Sequence, residues 1–299
     1  MKKWIVFILV LCITLTLAGC AGGNESAKSN AGSTAEQSGR IPVQGMLSML
    51  DFEKAQAASF QRTPPYTSLE FGKYERKGYP ALSELLLALN SSQVDWAYIP
   101  FDTAKYVQAA NKDWTLVVDT SVIFSYSMAT RSEDQALAEQ LSNAITTMRG
   151  DGTLDALEKE YIYSANGAPN TENLKMPVFA GAPTIRIGLT GNLPPFDYTN
   201  ADGAPRGFNV AFAKALSEKL GVNIELVVTD VGARLLALSS KKIDVVFWMI
   251  INDYSGTKAV ADGLRITPSY HKSYGAALTK DYPYEQILER YGLLTKGKK

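Results

Sequence analysis

Phe196-Asp197-Tyr198 sets a carboxylate between two aromatic rings, directly after Pro194-Pro195. Such rings offer a face to an ammonium or apolar side chain, and the carboxylate accepts hydrogen bonds from an amine. The same residues also read as a loop in which Pro194-Pro195-Phe196 merely packs. Trp248, directly after the apolar run Ile243–Phe247, is either a second ring facing a ligand or a core residue. Catalytic sets are missing. His271 is the one histidine of the chain, beside Pro268-Ser269-Tyr270, and reads as structural or exposed. A Ser/His/Asp set, a metal-ligating cluster and a phosphate-cradling glycine loop are not visible. These residue types point to binding a small polar solute without cofactor or metal, and not to an enzyme.

Ligand contacts of this kind need elements that hold them beyond the carboxyl ends of strands, where helix N-termini offer free N–H groups. The chain supplies such elements twice. Leu86-Leu87-Ala88-Leu89-Asn90-Ser91-Ser92-Gln93-Val94-Asp95 recurs 149 residues later as Leu235-Leu236-Ala237-Leu238-Ser239-Ser240-Lys241-Lys242-Ile243-Asp244. Each copy reads as a helix end, a polar turn and a buried strand. Two such units predict two α/β lobes, each with its own mostly parallel sheet, and a cleft between them for a small ligand. A chance Leu-rich match is the other reading.

The pattern between the copies fits. Leu82, Leu85, Leu86 and Leu89 share a helix face after Pro80, and Asp51 to Phe60 has helical composition. Short strands are expected at 94–99, 115–118 and 126–130. Ser132 with Gln135 reads as a capping box before the stripe Leu137, Leu141, Ile145, Met148. Gly150-Asp151-Gly152 breaks that helix, and Thr153 is the expected cap of the next, which carries Leu154, Leu157 and Tyr161. Further on, Ile185, Ile187 and Leu189 alternate as a strand. Phe208, Phe212, Leu216 and Leu220 form a helix stripe that Gly221 can end. Ile224 to Val228 is a strand, and Asp230 the cap of the helix leading into the second copy.

The first 20 residues read as a targeting signal. Lys2 and Lys3 precede the apolar run 4–17, which is short for a bilayer span and ends in Leu17-Ala18-Gly19-Cys20. This resembles the bacterial lipobox, which implies cleavage before Cys20 and its acylation (palmitate included). An ordinary secretory signal is the plainer reading. Loss of Lys2 and Lys3 leaves 28 basic against 30 acidic residues and a single cysteine, so an internal disulfide is ruled out. The near-neutral balance argues against nucleic acid as a partner.

Residues 184–278 resemble the first lobe of the bacterial extracellular solute-binding proteins of family 3. The matching features run in order. They are Ile185-Arg186-Ile187-Gly188, Leu193-Pro194-Pro195-Phe196-Asp197-Tyr198, Gly207-Phe208-Asn209-Val210, Leu220-Gly221-Val222, the second copy of the repeat, and Ile266-Thr267-Pro268-Ser269-Tyr270. Ser127-Met128-Ala129-Thr130, Asp151-Gly152-Thr153-Leu154 and Glu160-Tyr161 resemble the family's carboxyl end, and residues 41–127 its second lobe. The expected division is a signal peptide at 1–19, a Gly/Ser/Ala tether at 20–40, one lobe at 41–127, closing helices at 128–165 that pack on the other lobe, a linker at 166–183, that other lobe at 184–278, and a terminal helix with a basic tail at 279–299. The pieces stand in an order unlike the family's, which suggests either a circular permutant or two fused fragments.

The resemblance implies an α/β, two-lobe, periplasmic-binding-protein-like (type II) fold. It also implies a lipid-anchored receptor on the extracytoplasmic face of the cell membrane, monomeric, handing an amino acid or related amine or peptide to the membrane permease of an ABC importer. A tethered sensor or structural lipoprotein with a degenerate cleft is the alternative. The family's Thr-x-x-Arg, whose arginine forks onto a ligand carboxylate, is absent from 250–258, where Asp253 and Lys258 stand instead. Pro100 occupies the register of the family's amine-binding aspartate, with Asp102 two residues on. The hydroxyl-rich anion loop is replaced by Gly45-Met46-Leu47-Ser48, which keeps only the Ser48 hydroxyl. Phe196, Asp197, Tyr198, Trp248, Asp253, Asp102 and Ser48 are the candidate ligand contacts. The departures among them argue against a standard α-amino acid.

Overall fold

The computed structural model describes residues 43–47, 75–165, 167, 174–200, 202–252 and 263–280. In chain order its elements begin with β1 (Val43–Leu47), β2 (Glu75–Tyr79), α1 (Leu82–Asn90), β3 (Trp96–Pro100), α2 (Phe101–Ala110) and β4 (Thr115–Arg131). Next come α3 (Gln135–Gly150) and α4 (Thr153–Glu158), the latter prolonged by a π-helical turn at Lys159–Tyr163. The remainder is β5 (Thr184–Leu189), β6 (Asn192–Leu193), β7 (Asp197–Thr199), β8 (Pro205–Arg206), α5 (Phe208–Leu220), β9 (Asn223–Val228), α6 (Arg234–Ser239), β10 (Val245–Asn252), β11 (Leu264–Ile266) and β12 (His271–Thr279).

Among the described residues, nine strands pair in the order β2-β1-β3-β12-β4-β10-β5-β9, with β11 also against β4. β2, β1 and β3 are parallel, and so are β9, β5 and β10. Between these triads β12 and β4 run antiparallel to each other and to their outer neighbours. Both strands change halves along their length. β12 starts against Tyr126 and ends against β3, with Gly275 opposite Pro100 and Leu278 opposite Ala97. β4 starts against the end of β12 and finishes between β10 and β11. Each half is therefore a parallel triad closed by a strand arriving from the other half; the α/β halves are as expected, but they share one continuous sheet and do not each have their own.

The ladder between β12 and β4 breaks where the halves meet. Tyr274 faces Ile123 but Gly275 faces Asp119, leaving residues 120–122 as a bulge in β4. Gly275 is needed there, because a Cβ would lie 2.2 Å from Tyr98 Oη, which donates to Asp119 at 2.6 Å.

The repeated segments are the same structure built twice. In both copies the turn residue, Ser92 or Lys241, takes a positive φ of 57° or 61°. Gln93 and Val94 donate to the carbonyl of Ala88 as Lys242 and Ile243 do to that of Ala237. Asp95 donates from its N–H to the Val43 carbonyl and accepts from the Val43 N–H, while Asp244 makes the same pair with Arg186. A Cβ at Gly45 would lie 2.5 Å from Leu85 Cδ1 and 3.1 Å from Val94, and one at Gly188 2.6 Å from Ile243 Cδ1. The offset of 149 residues also carries Trp96 onto Val245 and Thr115 onto Leu264, the first residues of β3, β10, β4 and β11.

Some local expectations are corrected. The separate strands at 115–118 and 126–130 are one strand, β4, whose first part pairs with β12 up to Tyr126 and whose last part pairs with β10 and β11. The capping box at Ser132 does not form. α3 begins after Asp134, whose carboxylate instead meets Arg131 at 2.6 Å. α4 is capped by Asp151, whose Oδ1 accepts from both the N–H and the hydroxyl of Thr153, so Thr153 is capped and does not cap. Gly221 ends α5 with φ 64°, as read. Asp51 to Phe60 and the terminal helix near Ile287 lie outside the described residues.

Candidate functional site

β3 ends at Pro100 and α2 begins at once, which puts Asp102 in the first turn of α2, where the helix favours a negative charge. The Asp102 carboxylate is buried, with Oδ2 2.9 Å from Nε2 of His271 at the start of β12. The Asp102 N–H donates to Ser273 Oγ at 3.2 Å. The other imidazole nitrogen, Nδ1, lies 3.2 Å from Glu158 Oε1 at the end of α4, an ion-pair approach without hydrogen-bond alignment. Glu158 also accepts from Arg149 of α3 at 2.9 Å and from Tyr163 Oη at 3.1 Å. Arg149 reaches on to Asp155 and to the carbonyl of Tyr270. One imidazole, 1% exposed, thus lies between carboxylates from α2 and α4.

The charges respond to this packing. Burial alone would lower the His271 pKa, but the bond to Asp102 and the nearness of Glu158 outweigh it and raise it. Burial likewise opposes the Glu158 charge, yet His271 and Arg149 hold its pKa down to about 2. Tyr163 is pushed up to about 12 by burial and by Glu158.

Around the imidazole lies an aromatic layer. Phe196 is fully buried and stacks on Tyr126 of β4 at 4.1 Å between centroids, with the His271 ring at 5.4 Å. Phe208 meets Phe196 edge-on, and Tyr270 stacks on Phe212 at 4.6 Å. Gly207, with φ 103°, lets the start of α5 approach the loop, since a Cβ would lie 2.6 Å from the carbonyls of Pro195 and Phe196. Those carbonyls accept from the N–H groups of Phe208 and Asn209.

The candidate contacts fall into distinct places. Asp197 is buried, accepting from Thr190 Oγ1 at 2.8 Å, the Gly191 N–H at 2.6 Å and Asn209 Nδ2 at 2.6 Å. Burial pushes its carboxyl up against the pull of these bonds. Asn209 Oδ1 in turn accepts from Tyr270 Oη at 3.0 Å. Asp197 thus fastens the Thr190–Gly191 loop to α5. Phe196 is a packing residue of that loop. Asp102 meets His271. Tyr198 is buried on β7, near Tyr106 of α2; burial first, then Tyr198, push the Tyr106 hydroxyl up to about 12. Trp248 stands on β10 opposite Ser127. Ser48, Asp253, Lys258 and Cys20 lie outside the described residues. Sequence reasoning missed Tyr126, Arg149 and Glu158. Glu158 had a signal, since it falls four residues after Leu154 on an otherwise apolar helix face.

Comparisons with known proteins bear on one half of the molecule. Residues 185–291 match the family described as bacterial extracellular solute-binding proteins, family 3. The L-cystine-binding protein TcyJ of Escherichia coli is 44% identical over 63 residues, 21% of this chain and 24% of that protein. The L-arginine-binding protein of Pseudomonas aeruginosa is 34% identical over 80 residues, 27% of this chain and 31% of that protein. Among solved structures, the arginine-bound form of domain 1 from TmArgBP is 26% identical, covering 36% of this chain and 85% of that chain, with a TM-score of 0.23. The matches span between 24% and 31% of the length of these two curated relatives. Residues 185–291, the stretch that carries the Phe196 loop, are thus similar to the bacterial extracellular solute-binding proteins, family 3.

Proposed function

We propose that this protein is an extracytoplasmic solute receptor, tethered by a lipid on Cys20, that captures a small polar solute between its halves and delivers it to an ABC permease. The observation that carries this reading is the pair of crossing strands, β4 and β12, with the break in register where the halves meet. Two strands joined across a bulge make a hinge, and hinge closure is how two lobes enclose a ligand. The likeness to cystine- and arginine-binding proteins favours an amino acid or related amine or peptide. Pro100 at the amine-binding register, and Asp102 turned to His271, favour a solute outside the standard α-amino acids.

The unusual order of the pieces fits a circular permutant. α3 and α4 follow β4 in the chain yet lie against α5 and β11, with Lys219 paired to Asp151 at 2.7 Å. Arg131, at the end of β4, donates to the carbonyls of Leu238 and Ile243 at 2.8 Å each. At the other end Leu278 and Gly45 both pair with Ala97, so β12 finishes one strand away from β1. Permutation of this kind is tolerated where original termini are close.

A thermal-shift screen over amino acids, amines and short peptides tests the receptor reading, because a ligand that binds only the folded state raises the melting temperature. At least one solute is expected to raise it in a dose-dependent way, and a flat response across the panel overturns the reading. That flat response is what the tethered sensor or structural lipoprotein predicts. The observation favouring this second reading is the mutual burial of Phe196, Tyr126 and His271, each at most 2% exposed.

A further inference from the structure

Asp102 and Glu158 belong to different halves. Asp102 follows β3, whereas Glu158 ends a helix packed on α5. Between them His271 places one ring nitrogen against each. A neutral imidazole carries one N–H and one lone pair. In either neutral tautomer a lone pair faces a carboxylate oxygen, at 2.9 Å or 3.2 Å, in a site closed to water. Only the imidazolium meets both carboxylates with positive charge. The other titratable groups facing this site are Arg149 of α3, which supports the Glu158 charge, Tyr163 of the π-helical turn and Tyr126 of β4. Tyr270 and Asp197 lie behind the aromatic layer, and Lys272, next on β12, is exposed.

We propose that His271 is a proton-operated latch between the halves: as imidazolium it holds Asp102 of one half to Glu158 of the other, and its deprotonation releases them to move about the β4 bulge. The position of the bulge is what makes this consequential, since Tyr274 and Gly275, where the register shifts, come three and four residues after His271. The direction of the histidine shift agrees. Because the folded pKa is raised, the stabilisation is complete below the ordinary value of about 6.5 and is lost as pH rises through the folded pKa. The latch stands apart from the identity of any solute.

The chain's single histidine makes the test direct. The imidazole nitrogens of the full chain are followed by NMR across pH. In parallel, energy transfer is measured between dyes on Lys105→Cys of α2 and Thr146→Cys of α3, with Cys12 and Cys20 replaced by Ser. The expected result is an imidazole midpoint above 6.5 and a lengthening of the dye distance over the same pH interval. Asp102→Asn should move both midpoints together to lower pH, and His271→Gln should abolish the pH response of the distance. A midpoint at or below 6.5, passage through it without a change in distance, or matching distance curves for the wild type and Asp102→Asn would each overturn the latch. Should His271→Gln fail to fold, the wild-type and Asp102→Asn titrations still decide.

Discussion

Asp95 and Asp244 do the same work in the two halves, each tying a turn to the first residues of a neighbouring strand through a backbone bond and a carboxylate bond. Asp244 does more. Its carboxylate also takes the Arg186 fork at 2.9 and 2.8 Å and meets Arg131 at 3.4 Å. Replacing either aspartate by alanine leaves a part-buried N–H without its acceptor, a loss of about 1–3 kcal/mol. Asp244→Ala should be the more damaging, and urea denaturation of the two variants checks the order. Glu158 has a pH signature. Its folded pKa, about 2, lies below its ordinary 4.5, so its charge stabilises the fold above about pH 4.5 and that contribution is lost as pH falls toward 2. Glu158→Gln should therefore be less stable than the wild type at pH 7, with the gap narrowing below about pH 4.5 and closing toward pH 2. A gap that stays constant with pH would deny the ionic role.

At the scale of elements, the strand that joins the halves was the hardest to read. Residues 115–118 and 126–130 look like two separate short strands. Pairing with β12 at 115–119 and 123–126, and with β10 from 123 onward, joins them into one strand across the bulge at 120–122. The start of α3 was misread for a similar reason. Ser132 and Gln135 have the spacing of a capping box, but Arg131 draws Asp134 toward itself, and Gln135 donates instead to Glu139 at 2.7 Å. Stripes that meet a core, such as Phe208, Phe212 and Leu216, were legible because burial at helical spacing is a local pattern. The bulge also carries a prediction. Gly275→Ala drives a methyl into Tyr98 and should cost about 1–3 kcal/mol, as overpacking does. Urea denaturation of the variant against the wild type checks the loss.

For the whole molecule, the proposed circular permutation makes its own forecast. A chain opened in the 166–183 linker, starting at 184 and running through 299 into 41–165, should fold to the same nine-strand sheet. Matching far-UV circular dichroism with a single cooperative melt is the expected outcome. A product that is unfolded, or that melts in two separate steps, would favour two fused fragments.

The amino-acid sequence by itself determined the local grammar of this protein: the duplicated helix–turn–strand unit, the two α/β halves it implies, and the loop resembling a solute-binding family. These are legible because periodicity, turn residues and short motifs act over a few residues. Tertiary structure alone decided what the candidate residues do. Asp197, read as a ligand acceptor, is enclosed by Thr190, Gly191 and Asn209. Asp102 and His271, 169 positions apart, become partners because β12 crosses from one half to the other. A carboxylate's role depends on which donor the fold brings to it, and donors so distant in sequence leave no mark in the spacing around it.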